Sequence, residues 1–137
     1  MVLAKLAIIE RSLARVEDVH SAPERRSAID NDDITVVNLE RAIQAGIDLA
    51  THVVASEGLG LPDTSGASFV LLREAGVLEP DLAERLRRMA GFRNIAVHDY
   101  RKLDPEIIDQ IVRYRLGDLR ALGRQIVMRY LPPSSAD

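Results

Sequence analysis

The chain has 137 residues, 47% of them hydrophobic, which suits one domain with a sizeable core and is not the composition of a disordered chain. It has no cysteine, which excludes disulfides, thiolate metal sites and a cysteine nucleophile. No apolar run reaches the roughly 18–20 residues that span a bilayer, and "MVLAKLAIIERSLARVEDVH" mixes acids and bases and offers no small-residue cleavage site, so a cytoplasmic chain with no membrane partner is expected.

The pattern reads as helix throughout. Leu3, Leu6, Ile9, Leu13, Val16 and Val19 recur at three- and four-residue steps and predict a first helix, which "SAPERRSAID" interrupts. A second long helix opens with acids at Asp30, Asp32 and Asp33, which suit a helix N-terminus. Its inward stripe is Val36, Leu39, Ile43, Ile47, Ala50 and Val54. "GLGLPDTSG" is a turn cluster. A short helix is expected at about 66–75 and another from Pro80 to about residue 97. "RKLDP" connects to a last helix, with Asp104 as its cap and Pro105 as its first residue, running to about Leu131 with Ile108, Ile111, Leu119, Leu122 and Ile126 inward. "PPSSAD" reads as a frayed tail within residues 131–137. The fold expected is all-α: one domain over residues 1–137, an up-and-down bundle of four long helices and one short one.

The net charge of −3 argues against a general nucleic-acid binder, but the charges are unevenly spread. Residues 1–84 hold 7 Lys/Arg against 15 Asp/Glu, and residues 85–137 hold 11 against 6. A basic C-terminal half suits a polyanion on one face, and an acidic N-terminal half suits a basic partner on another.

The residues that carry chemistry gather in "GFRNIAVHDY", residues 91–100. Arg93 supplies a planar, permanent cation that forks onto phosphate oxygens. The His98 imidazole can take or give a proton near neutral pH. Asn94 can orient either the imidazole or the phosphate. Together these groups serve attack by a ribose 2′-OH on its own 3′-phosphodiester, which needs a proton acceptor, a stabiliser for the phosphorane and a proton for the leaving 5′-oxygen. On one regular helix Asn94 and His98 share a face, but Arg93 and His98 diverge by roughly 140°. Either the helix opens near His98 or two chains build one site. The structural alternative is an Arg93 surface ion pair and a His98 that merely ends a helix.

"RNIAVHDY" resembles the Arg-x4-His-x-Tyr motif of the HepT-like toxins, within the HEPN superfamily of helical ribonuclease domains. The resemblance extends through "VVNLERAIQAGIDLATHVVASEG" and "SFVLLREAGVLEPDLAERLRRMAGFRNIAVHDYRKLDPEIIDQIV", over roughly residues 30–125. It implies an endoribonuclease toxin that works without metal or cofactor, with Arg93 and His98 as the catalytic pair and Asn94 in support. It also implies a homodimer whose two motifs line one cleft, and a nucleotidyltransferase antitoxin that attaches AMP to Tyr100. Residues 84–102 hold Arg85, Arg87, Arg88, Arg93, Arg101 and Lys102 against Glu84 and Asp99, an excess suited to drawing RNA in.

Other constellations are weaker. Arg41, Gln44, Asp48 and His52 form a polar stripe on the second long helix, more simply a support of the cleft or plain solvent exposure than a metal site, since the chain has only three histidines. His20 ends the first helix, where its charge is favourable. Glycines 58, 60 and 66 make no phosphate loop, and scarce aromatics give no base-stacking platform. The rival readings are a non-catalytic helical adapter that dimerises and binds a partner protein or nucleotide, and a scaffold bundle in which the motif is structural. A solvent-facing Arg93 and His98 favour catalysis over either.

Overall fold

A computed structural model describes residues 1–99 and 102–130. Its elements are α1 (Val2–Ser21), a 3-10 turn (Pro23–Arg25), α2 (Ala28–Glu57), α3 (Ala67–Glu74), α4 (Pro80–His98), α5 (Pro105–Tyr114) and α6 (Leu116–Tyr130). Among the described residues there is no strand, and no helix is long and apolar enough to cross a membrane.

The 30-residue α2 is the spine. It starts where the Ser27 side chain accepts the Asp30 backbone N–H at 3.1 Å, satisfying one of the helix's orphan donors. It stops at Gly58, whose φ of +62° is the left-handed turn a glycine makes without steric cost. All six residues of its expected stripe are buried. α1 packs along it through Ile9, Leu13, Val16 and Val19. The core continues through Phe69 and Leu72 of α3, Leu86 of α4, and Leu119, Leu122 and Ile126 of α6.

Two expectations need correction. Leu3 is 67% exposed; the inward position of the first turn belongs to Val2, which packs against the core and continues the 2, 6, 9, 13, 16 rhythm one residue out of step with Leu3. The last long helix is two helices. Arg115 departs to φ −119°, ψ −3° while its N–H still reaches the Ile111 carbonyl, and Asp118 N–H then bonds to the Arg115 carbonyl to start α6. The break lets Ile111 and Leu116, five residues apart and out of phase on one straight helix, both face inward.

Charged pairs tie the bundle at its rim. Arg120 of α6 reaches both Glu10 and Glu17 of α1. Arg129 and Tyr130 at the end of α6 converge on Glu57 at the end of α2.

Candidate functional site

The site is built on the last turns of α4. This helix begins at Pro80, whose fixed φ and missing N–H suit a first helical position, with Asp81 in the first turn. Leu82, Leu86, Met89, Ala90, Phe92 and Ala96 anchor its inner face. Of the motif, Asn94 and His98 lie off that face. The helix ends at His98, and Asp99 is extended at φ −154°, ψ 94° with its N–H still bonded to the Ile95 carbonyl at 2.9 Å. His98 is therefore the last helical residue. It is exposed and makes no side-chain hydrogen bond among the described residues.

Arg93 and Asn94, about 100° apart around α4, face different grooves. Arg93 is half-buried and faces a groove of about 310 Å³ against α1 and α2, shared with Lys5, Glu40, Arg41, Gln44 and Asp48. Its Nε is buried and has no hydrogen-bond partner among the described residues. An unpaired buried donor on a cation is costly, and no side chain among the described residues is bonded to it. Glu40 stands close enough to feel Arg93. Burial raises the Glu40 carboxyl above the usual carboxylate range, and the Arg93 charge pulls it partly back. Further along α2, Asp48 accepts Lys5 Nζ at 2.9 Å and Gln44 Nε2 at 2.7 Å, so the expected stripe of Gln44 and Asp48 is one wall of this groove. Arg41 is exposed at its rim; His52 is half-buried and does not line it.

Asn94 turns the other way. Its Nδ2 donates to Ser65 Oγ at 3.1 Å, fastening α4 to the turn before α3. Within the chain its amide is thus oriented by Ser65, a partner 29 residues distant that no local spacing announces. Asn94 lines a second groove with Leu61, Thr64, Gly91 and their neighbours.

The arginine run on α4 is less available than its sequence suggests. Glu84 accepts Arg87 through Nε and Nη2, both at 2.8 Å, and Arg88 through Nε at 3.0 Å. These bonds hold the Glu84 carboxyl down to about 2. Arg85 bonds to the buried Asp118 at 3.1 Å, joining α4 to α6. Tyr100 and Arg101 lie outside the described residues, as does the expected tail at 131–137. Among the described residues no three His, Cys, Asp or Glu side chains gather in a group able to hold a metal ion.

The fold places the chain in a class of helical proteins solved within toxin–antitoxin complexes. It superposes with a TM-score of 0.84 on a chain of a toxin–antitoxin crystal structure determined with AMP-PNP, at 31% identity over 91% of this chain and 96% of that one. The match is equal, at 32% identity over 91% and 95%, for the tri-AMPylated Shewanella oneidensis HEPN toxin in complex with MNT antitoxin. Residues 9–126 match the family model of ribonuclease HepT-like proteins, and the chain belongs to that family. It is 34% identical to the mRNA nuclease HepT of Shewanella oneidensis over 86% of this chain and 90% of the relative. It is 28% identical to the tRNA nuclease HepT of Aphanizomenon flos-aquae over 83% and 77%. The resemblance read from "RNIAVHDY" and its surrounding helices is borne out.

Proposed function

We propose that this chain is a metal-independent endoribonuclease toxin of a two-component toxin–antitoxin pair, a single domain acting on cytoplasmic RNA as a homodimer. The observation that carries the reading is the state of the motif's two ends: His98 exposed at the terminus of α4, and Arg93 half-buried, lining an open groove and bonded to no side chain among the described residues. A purely structural pair would be buried or bonded within the chain.

The chemistry follows from those groups. His98 takes the proton of the ribose 2′-OH as its oxygen attacks the adjacent phosphorus. The same imidazole, or its copy from a second chain, returns a proton to the departing 5′-oxygen. Arg93 stabilises the charge that builds on the non-bridging oxygens, and its planar fork suits that geometry. Asn94, oriented by Ser65, supports the position of the substrate beside His98. Arg93 and Asn94 diverge around α4, so Arg93 and His98 of one chain do not close on one phosphate by themselves; a two-fold axis that sets two motifs into one cleft supplies the missing convergence.

The tri-AMPylated relative solved with an MNT antitoxin, and the toxin–antitoxin structure determined with AMP-PNP, support a nucleotidyltransferase partner here. In that reaction the Tyr100 hydroxyl oxygen attacks the α-phosphorus of ATP. A Tyr–O–P bond forms, the bond to pyrophosphate breaks, and the phenolic proton leaves to a base. The attached AMP brings negative charge and bulk next to His98, where an RNA phosphate has to sit.

The test is RNA cleavage by purified wild type, Arg93→Ala and His98→Ala. Each variant is expected to lose about 10²–10⁴ in rate with an unchanged helical spectrum. Full activity in either variant refutes the assignment, and a wild type that never cleaves RNA leaves the helical adapter. Intact-mass analysis with the antitoxin and ATP is expected to show AMP added to wild type. Equal addition to Tyr100→Phe shows another acceptor.

A further inference from the structure

The second groove beside α4 holds open space that no packing among the described residues fills. It encloses about 460 Å³ between α4 and the segment leading into α3, within the size range of small-molecule sites. Leu61, Val70 and Leu71 give it aliphatic walls, and Asp63, Thr64 and Asn94 give it a polar edge. Its one cation, Arg87, is held two-pronged by Glu84, and Asp63 is acidic. The lining therefore disfavours an anion and suits a neutral group with apolar faces and hydrogen-bonding edges.

Two residues point to an occupant from outside the chain. Leu61 is 96% exposed, although it lines the groove. Gly91 sits in the interior of α4, where glycine weakens a helix, yet a Cβ built there meets nothing within 4 Å. No packing among the described residues requires the glycine. The open space it leaves is part of the groove.

The groove also leads to the chemistry. Gly91, Asn94 and His98 succeed one another at three- and four-residue steps and so share one face of α4. Arg93 faces the groove on the other flank. We propose that the groove bounded by Leu61, Thr64, Gly91 and Asn94 seats the nucleobase adjacent to the scissile phosphodiester and sets which linkage is cut. The aliphatic walls cover the faces of the base. Thr64, Asp63 and the Asn94 amide meet its edge, the kind of pairing by which amide side chains read bases. The inference rests on the ribonuclease reading above.

The test uses two variants. Gly91→Leu fills the groove and strengthens the helix. Leu61→Ser removes an exposed wall that contributes nothing to the core. Circular dichroism and light scattering check that fold and assembly match wild type. The substrates are DNA oligonucleotides with a single ribonucleotide, the base on either side of it varied in turn. Wild type is expected to rank the bases. Gly91→Leu is expected to raise KM about tenfold and flatten that ranking with a smaller change in kcat; Leu61→Ser shifts both measures the same way by less. Unchanged KM and ranking in both variants, or no ranking by wild type, overturns the proposal. A binding arm separates this failure from failure of the ribonuclease reading. An all-deoxy oligonucleotide with 4-thiothymidine beside the ribonucleotide position is photocrosslinked to the protein and the adduct mapped. Crosslinks within residues 61–71 or 91–94, lost in Gly91→Leu, support the subsite even if wild type cleaves nothing, an outcome that sinks only the nuclease reading. Crosslinks confined to other segments overturn the subsite.

Discussion

Arg93 is held without being neutralised. Its stem packs into the bundle, its Nε has no bond among the described residues, and Glu40 faces it from α2. Burial raises the Glu40 carboxyl, so the folded chain binds that proton more tightly than the unfolded chain does. Proton uptake then exceeds that of the unfolded state between the ordinary and the raised value, and this group's contribution to stability falls as pH rises through that window. Glu40→Gln removes the titration with little change in shape. Urea unfolding from about pH 4 to pH 7 is expected to show wild type losing stability relative to Glu40→Gln as pH rises; a difference that grows in favour of wild type contradicts the burial argument. The motif residues were legible because their types and spacing state a chemistry. Glu40, Lys5 and Ser65 were not assigned to the site, because each reaches it from a distant element and nothing local marks which face of that element meets α4.

At the scale of elements, the sequence carried caps and stripes well. Asp104 was expected as a cap, and its Oδ1 accepts the Glu106 N–H at 2.9 Å where α5 begins. That cap holds the helix directly after the motif segment, and α5 has only 10 residues to stabilise it, with Ile111 its one buried residue. Asp104→Ala is expected to cost about 1 kcal/mol in denaturant unfolding, and no measurable loss means that α5 docks without its cap. The break after Tyr114 was also present in the sequence as a phase slip. Ile108, Ile111, Leu119, Leu122 and Ile126 all fit one helical stripe, and Leu116 alone falls out of phase with it. Reading Leu119, Leu122 and Ile126 as a continuation passed over Leu116, whose burial requires the turn at Arg115. Leu3 failed for a similar reason: at a helix end two neighbouring apolar residues compete for one inward position, and the rhythm of the next turns chooses Val2.

For the whole molecule, the charge imbalance between the two halves persists in the sequence, but the fold ties part of it up. Arg120 engages Glu10 and Glu17 across α1 and α6, and Arg87 and Arg88 share Glu84. The basic half is therefore no broad polyanion surface, and binding of RNA is expected to depend on convergence at the α4 end more than on long-range attraction. In the proposed homodimer, Arg93 and His98, which diverge on one helix, meet across two chains. If one chain lends its arginine and the other its histidine, each homodimer of Arg93→Ala or His98→Ala lacks one group at both sites. A mixed dimer differs. The His98→Ala chain still supplies Arg93, the Arg93→Ala chain still supplies His98, and one of its two composite sites is complete. Unfolding the two variants together and refolding them at equal concentration places about half of the dimers in the mixed form, so cleavage is expected to return to about a quarter of wild type from two inactive parents. Recovery depends on exchange, and mixing without unfolding should lag behind it when the dimer is tight. If the mixture stays as inactive as its parents while mass spectrometry shows mixed dimers, each active site draws its arginine and histidine from the same chain, and α4 must bend at its end to bring them together.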